Sequence, residues 1–339
     1  MRAKLLKETL TSLWNKQNLR PVVIEGAPGG GKTSIVQQVA DGLGIGYIEK
    51  HLPTMLVEDF GVPDIINKSA DGTFSYTLPD WYPAESRTDI PEVGVLCFDD
   101  RNQGDNALQK TLANIMQART LHGVPLKKGW WVISTGNRQS DRAGSNRVLS
   151  HVRGRETILE LETHIDDFTS YAISQGTPPE VVSFVHFRTN LLHDFDPQRD
   201  QNPSPRSWLE GVGRIIGSVP SEAEYECFKG AVGEGAAAEF VGFLNIHRKL
   251  PNPDTILRSP TTADLPTDSA TCYALCGALG ERATKENFKN LVTYANRFEG
   301  INKADLSVLM VTYAVRKNGD LFETEAFINW SDKHQDVLF

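Results

Sequence analysis

The chain has 339 residues, more than one ordinary hydrophobic core organises, which predicts about two to three domains. Its 40% hydrophobic and 23% charged residues exclude a largely disordered, collagen-like or disulfide-stapled chain. With 35 Lys and Arg against 43 Asp and Glu, the net charge of -8 repels phosphate backbones and anionic membranes, so nucleic acid is an unlikely partner and could bind only through a local patch.

In chain order, Leu5, Leu6, Leu10, Leu13 and Trp14 share one helical stripe and predict an amphipathic opening helix. The run PVVIE from Pro21 reads as a buried strand, GAPGGGKT follows at once, and Ile35, Val36, Val39, Ala40 and Leu43 then repeat at helical spacing. GYIEK from Gly46 predicts a second strand and GVLCFDD from Gly94 a third, apolar enough for burial on both faces. A helix over Ala107 to Arg119, a strand WWVISTGN from Trp130 and a strand ETILELE from Glu156 complete an alternation that implies a doubly wound, mostly parallel α/β sheet over residues 1–162. Beyond it the pattern is helical: a unit over 163–219, then a mainly helical region over 220–339. The Pro-rich stretch LPNPDTILRSPTTADLPTD predicts a linker of low structural content.

Four cysteines, Cys97, Cys227, Cys272 and Cys276, are too few and too scattered for a disulfide framework. Cys272 and Cys276 could offer two metal ligands at helical spacing, but no second Cys or His pair lies nearby, and they are expected as small core residues. The N-terminus lacks a signal-peptide pattern and no window reaches the roughly 18 consecutive apolar residues of a membrane span, so a soluble, cytoplasmic protein with no membrane partner is expected.

The chemistry concentrates on the first half. Gly26, Gly31, Lys32 and Thr33 match G-x-x-x-x-G-K-[ST], set between a strand and a helix as a phosphate-binding P-loop requires. Within it Gly26, Ala27, Pro28, Gly29, Gly30, Gly31, Lys32, Thr33 and Ser34 are the expected nucleotide contacts, with the Thr33 hydroxyl on magnesium. Such a loop needs a carboxylate at the end of a neighbouring strand to hold the metal and a group to orient water. Asp99 and Asp100 leave a buried strand at the right place, and we assign Asp99 to magnesium and Asp100 to water activation. Paired aspartates after a strand also serve as a turn or helix cap.

These motifs resemble those of the MoxR-type AAA+ ATPases across about residues 18–215. The resemblance rests on GAPGGGKT, on EDFGVPDI followed by GTFSYTLPDWYP, on VLCFDDRNQGDNALQKTLANIMQART, on WWVISTGNR and on NPSPRSW. It implies an AAA+ core over 1–162, a helical lid over 163–219, and ATP with magnesium as ligands. It further implies a homo-oligomer, six to a ring, that remodels a protein client, in some relatives one with a von Willebrand factor A-type domain. Asn137 corresponds to sensor 1, which holds the attacking water, although Asn before Arg and Gln also suits a turn. In HVRGRETILELE, Arg155 fits the arginine that reaches a neighbouring subunit's nucleotide, with Arg153 the second choice and a solvated loop arginine the plain alternative. Arg206 resembles sensor 2, against a simple helix-start arginine paired with Glu210. The segment Val57 to Trp81 corresponds to a hairpin facing the ring centre, where Phe60, Phe74, Tyr76 and Trp81 could touch a client or else pack on their own domain; Gly104 to Asn106 is the other candidate central surface. The chain departs from the usual pattern in having Asp-Asp where most members have Asp-Glu, which leaves an ATP-dependent scaffold with slow turnover as the competing reading.

Overall fold

The computed structural model describes residues 1–66, 73–141, 154 and 156–334. These form two compact units, Met1–Glu162 and Thr163–Phe339.

The first unit is built on strands β1 (Val22–Glu25), β2 (Gly46–His51), β5 (Val93–Asp99), β8 (Gly129–Gly136) and β9 (Thr157–Glu160), in the order β2-β5-β8-β1-β9. Every ladder is parallel. The opening helix α1 (Ala3–Asn15) and the crossovers α2 (Lys32–Leu43) and α3 (Asn106–Ala118) sort by side-chain alternation. Val22, Ile24, Val95, Cys97, Trp131 and Ile133 point to one face and pack on Leu6, Leu10 and Trp14 of α1 and on Ile35, Val36 and Val39 of α2. Val23, Leu96, Phe98, Trp130 and Val132 point to the other, against Leu108, Leu112, Ile115 and Met116 of α3. Both faces are covered, so the central strands are apolar throughout, as GVLCFDD predicts. The chain is thus the expected α/β P-loop sheet followed by helices.

Between β2 and β5 the chain makes a short antiparallel pair, β3 (Pro63–Asp64) with β4 (Ser75–Tyr76). A second short pair joins β6 (Thr120–Leu121) to β7 (Val124–Pro125) after α3.

The second unit is helical. Helices α4 (Ile165–Ser174), α5 (Pro179–Phe187), α6 (Ser221–Val232) and α7 (Glu234–His247) surround an aromatic core. Phe184 meets Trp208 at 5.3 Å, Phe240 at 5.1 Å and Phe243 at 5.5 Å between ring centroids. The same core takes in Ala270, Ala274 and Tyr313, so residues before and after 219/220 are packed into one body. Next come α8 (Pro253–Arg258), α9 (Ser269–Glu281), α10 (Phe288–Glu299), α11 (Ala304–Lys317) and α12 (Glu325–Ser331). Helix α9 is buried nearly all round, with Cys276 inside among apolar neighbours and Cys272 buried with its Sγ 3.2 Å from Pro266 O and 3.4 Å from Lys303 Nζ, which is the core role expected of them.

The Pro-rich stretch before α9 differs from the expected loose linker. It contains α8, with Ile256 and Leu257 buried. Its carbonyls are taken up by α10: Asn290 donates to Leu257 O at 2.9 Å, Tyr294 to Asp264 O at 2.8 Å, and Arg297 to Pro260 O and Ala263 O at 2.7 Å each. Prolines stop a regular ladder, but side chains from a neighbouring helix can satisfy the backbone they leave exposed. Among the described residues, no helix is long and apolar enough to cross a membrane.

Candidate functional site

All five sheet strands run the same way, so their C-terminal ends share one edge, and the loop after β1 opens there. Gly26 N donates to Gly136 O at 3.2 Å, and a Cβ at Gly26 would stand 2.8 Å from Leu161 O. Only glycine leaves the sheet through so narrow a gap. Gly31 begins α2 in the left-handed region, φ 87, and has no side chain to compete for the first amides of the helix. Those amides and the positive end of the helix are suited to phosphate. Ala27, Pro28, Gly29 and Gly30 are half-buried around the loop and Ser34 is exposed.

Lys32 is buried beneath this loop. Its ammonium donates to Gly26 O at 3.0 Å, Ala27 O at 3.1 Å and Asn137 Oδ1 at 3.0 Å. The P-loop lysine and the predicted sensor asparagine, separated by more than a hundred positions, are therefore in direct contact.

Asp99 ends β5, and one of its oxygens accepts from the hydroxyls of both Thr33 and Thr135. Its other oxygen lies 3.2 Å from His51 Nδ1. Burial raises the pKa of this carboxyl, but the hydrogen bonds from Thr135, Thr33 and His51 outweigh it and hold the group below the ordinary carboxylate range. It is an anion ready to hold a cation. A hydroxyl and a carboxylate are the hard oxygen donors that magnesium prefers, so Thr33 and Asp99 fit the ion the sequence motif implies.

Asp100 takes a left-handed conformation, φ 50, and its amide donates to Thr135 Oγ1 at 3.2 Å. Asn102 then clamps the backbone of Asn137 from both sides: its Nδ2 donates to Asn137 O at 2.6 Å and its Oδ1 accepts from Asn137 N at 3.2 Å. Asn102 and Asn137 are both buried. Between the two acids and this clamp sits Arg101, whose guanidinium reaches Glu156 Oε1 at 2.9 Å as a fully buried ion pair.

The structure thus brings Lys32, Thr33, Asp99 and Asn137 together through direct contacts, with Asp100 held to Thr135. Arg155 and Arg153 lie outside the described residues. Arg206 is exposed in the second unit, just before a π-helical turn over Ser207–Val212, and Glu210 is exposed as well.

The segment from Val57 to Trp81 divides. Phe60 and Trp81 are buried, edge to face at 5.4 Å, and Trp81 meets Phe98 of the sheet at 5.9 Å. Phe74 and Tyr76 are exposed, as are Val62, Ile65 and Ile66 of the same hairpin. Gly104 faces inward against Leu52, while Asp105 caps α3 by accepting from Ala107 N at 2.8 Å and Leu108 N at 2.9 Å.

Sequence reasoning misses His51, Thr135, Asn102 and the Arg101–Glu156 pair. Thr135 carries a usable signal, being, with Ser134, one of two polar residues in a strand otherwise of apolar residues and glycine, two positions before Asn137. His51 and Asn102 carry none, because their roles depend on which strand lies next to which.

No family model and no curated protein matches this chain. Solved structures resemble it only distantly. A Thermotoga maritima RuvB Holliday junction branch migration motor is 14% identical, with 82% of this chain and 80% of that one covered at a TM-score of 0.38. A putative ATPase from Cytophaga hutchinsonii is 13% identical, with 91% and 81% covered at 0.32. A DNA polymerase III gamma subunit-related protein from Thermotoga maritima is 9% identical, with 97% and 98% covered at 0.40. Likeness at this level assigns no activity or partner, and the functional reading rests on the site itself.

Proposed function

We propose that the chain is an AAA+ ATPase of MoxR type, acting in the cytoplasm, which binds and hydrolyses Mg-ATP, assembles as a ring of six, and remodels or activates a protein partner. The observation that carries this is the joint placement of Lys32, Thr33, Asp99 and Asn137 at one sheet edge, Asp99 and Asn137 coming from strand ends far in sequence from the loop and helix start that carry Lys32 and Thr33. In this reading the loop amides from Gly26 to Ser34 and the Lys32 ammonium bind the phosphates. Thr33 and Asp99 hold the magnesium ion, which when bound neutralises phosphate charge. Asn137, positioned by Asn102, orients water beside the outer phosphate, and Asp100 accepts its proton. Arg155 of one subunit completes the site of the next, and Arg206, on the lid over 163–219, couples the bound nucleotide to movement. The client is a protein, with a von Willebrand factor A-type domain as the first candidate, and residues 220–339 provide for its recognition. The acidic balance argues against a nucleic-acid motor.

The direct test is Lys32→Ala. Removing the ammonium costs a charge-assisted contact to phosphate, worth roughly 2–3 kcal/mol, so ATP affinity should fall by about a hundredfold while circular dichroism is unchanged. Unaltered ATP affinity in a folded Lys32→Ala protein would remove the basis of the assignment.

A further inference from the structure

The sheet edge holds one group that the nucleotide reading leaves unused. His51 and Asp99 are Cα partners in the parallel ladder between β2 and β5, so their side chains leave the same face on strands about 4.8 Å apart. Asp100 would ordinarily point to the opposite face, but its left-handed backbone breaks the alternation. As a result one ligand atom each from His51, Asp99 and Asp100 lies within 4.8 Å of the others. Donors on opposite sides of a divalent ion, each about 2.1 Å from it, stand about 4.2 Å apart, so the three are already close to metal-site dimensions. The Asp99 oxygen engaged by Thr33 and Thr135 is not the one facing His51, and the imidazole is half-exposed, so the ring can turn and an ion can enter.

We propose that His51 is a ligand of the divalent ion together with Asp99, with Asp100 beside them left to accept the proton of the attacking water, and that this imidazole-carboxylate pair favours a first-row transition ion over Mg2+. The inference rests on the reading of Asp99 as the metal carboxylate of the nucleotide site and extends it to which ion is taken. Magnesium demands oxygen donors in near-ideal octahedral geometry and gives up its waters reluctantly, whereas imidazole is accepted along the first-row transition series, well by Zn2+ and Fe2+ and least by Mn2+. Mn2+ is the most stringent probe, since it gains least from nitrogen ligation in that series.

The experiment is Mn2+ titration of the full chain without nucleotide, followed by loss of the free-ion electron paramagnetic resonance signal, with Mg2+ as competitor. His51→Gln should weaken Mn2+ by about tenfold or more, in line with the 10–100-fold cost of losing even outer-shell support, and change Mg2+ affinity little. His51→Glu, which makes the set all-oxygen, should shift the preference toward Mg2+. Pulsed resonance on protein carrying 15N only in histidine should detect nitrogen coupling to bound Mn2+ that disappears in His51→Gln. Bound Mn2+ without histidine coupling, or equal Mn2+ affinity in wild type and His51→Gln, overturns the proposal. So does the absence of any Mn2+ binding, with or without ADP. None of these readouts depends on turnover, and the loss of ATP binding in Lys32→Ala is scored separately, so failure of the nucleotide reading is distinguishable from failure of the His51 assignment.

Discussion

Thr135 is the pivot of the site at the scale of single residues. Its hydroxyl donates to Asp99 and accepts from the Asp100 amide, and its carbonyl accepts from Arg101 N at 2.9 Å, so one side chain and one peptide fix three consecutive residues at the end of β5. Asn102 then holds Asn137, which in the proposed reading makes it a positioning residue that would act on water only through another side chain. Asp100→Asn should retain Mg-ATP binding and lose hydrolysis, because an amide cannot accept the proton of an attacking water. Asn102→Ala should lower kcat by roughly ten- to a hundredfold with KM within about twofold, since the loop that binds phosphate is untouched while the sensor amide is left unclamped. A proportional rise in KM, or an unchanged kcat, would instead mark Asn102 as merely structural. Steady-state kinetics on thermally intact variants decides this.

Among elements, the contact between α4 and α5 carries a pH-dependent term. His186 Nε2 of α5 lies 2.7 Å from Thr169 Oγ1 of α4, and burial pushes its pKa down to about 4, with Arg316 assisting and Asp166 opposing. An unfolded histidine titrates near 6.5, so below that pH the unfolded chain takes up a proton that the native state refuses until about 4. Stability should therefore fall as pH drops from about 6.5 to 4, by up to ~3 kcal/mol from this group. His186→Gln removes that component while retaining a partner for Thr169. Urea denaturation of both proteins between neutral and mildly acid pH should give the variant the flatter dependence over that window. Parallel curves would show that the native state does not hold the His186 pKa below its unfolded value.

For the whole molecule, the reading as a ring ATPase makes the assembly part of the active site. Arg155 supplied by a neighbour would place each nucleotide between subunits, and ATP should then favour the assembled state by binding it more tightly. Arg155→Ala should reduce hydrolysis by roughly 10³ to 10⁵, the range known for arginines supplied to phosphoryl-transfer sites, with ATP binding hardly changed. Mixing Arg155→Ala with Lys32→Ala subunits should recover activity, because some interfaces then join an intact loop to an intact arginine. Co-assembly without recovery, measured at ring-forming concentration, would pass the role to Arg153 or leave Arg155 a structural one. Mass measurement with and without ATP separates this reading from a monomeric kinase that shares only the loop.

What the sequence determined alone is local. GAPGGGKT specifies a strand, a glycine turn and a helix start because phosphate binding, left-handed φ and helix initiation each require those residue types at adjacent positions. The strand from Val93 to Asp99 is legible because a strand covered on both faces must be apolar at every position, and Cys272 and Cys276 are legible because small apolar residues at helical spacing belong inside. Tertiary structure decided everything that depends on neighbours. A strand's pattern says which of its side chains are buried but not which strand lies beside it, so neither the order β2-β5-β8-β1-β9 nor the register pairing His51 with Asp99 could be read in advance. The same holds for Asn102 on Asn137 and for the Pro-rich stretch ordered by Asn290, Tyr294 and Arg297. Each of these contacts joins groups that become close only after the sheet or the helices have packed, and a polar side chain's partner is set by that packing rather than by its own neighbours in the chain.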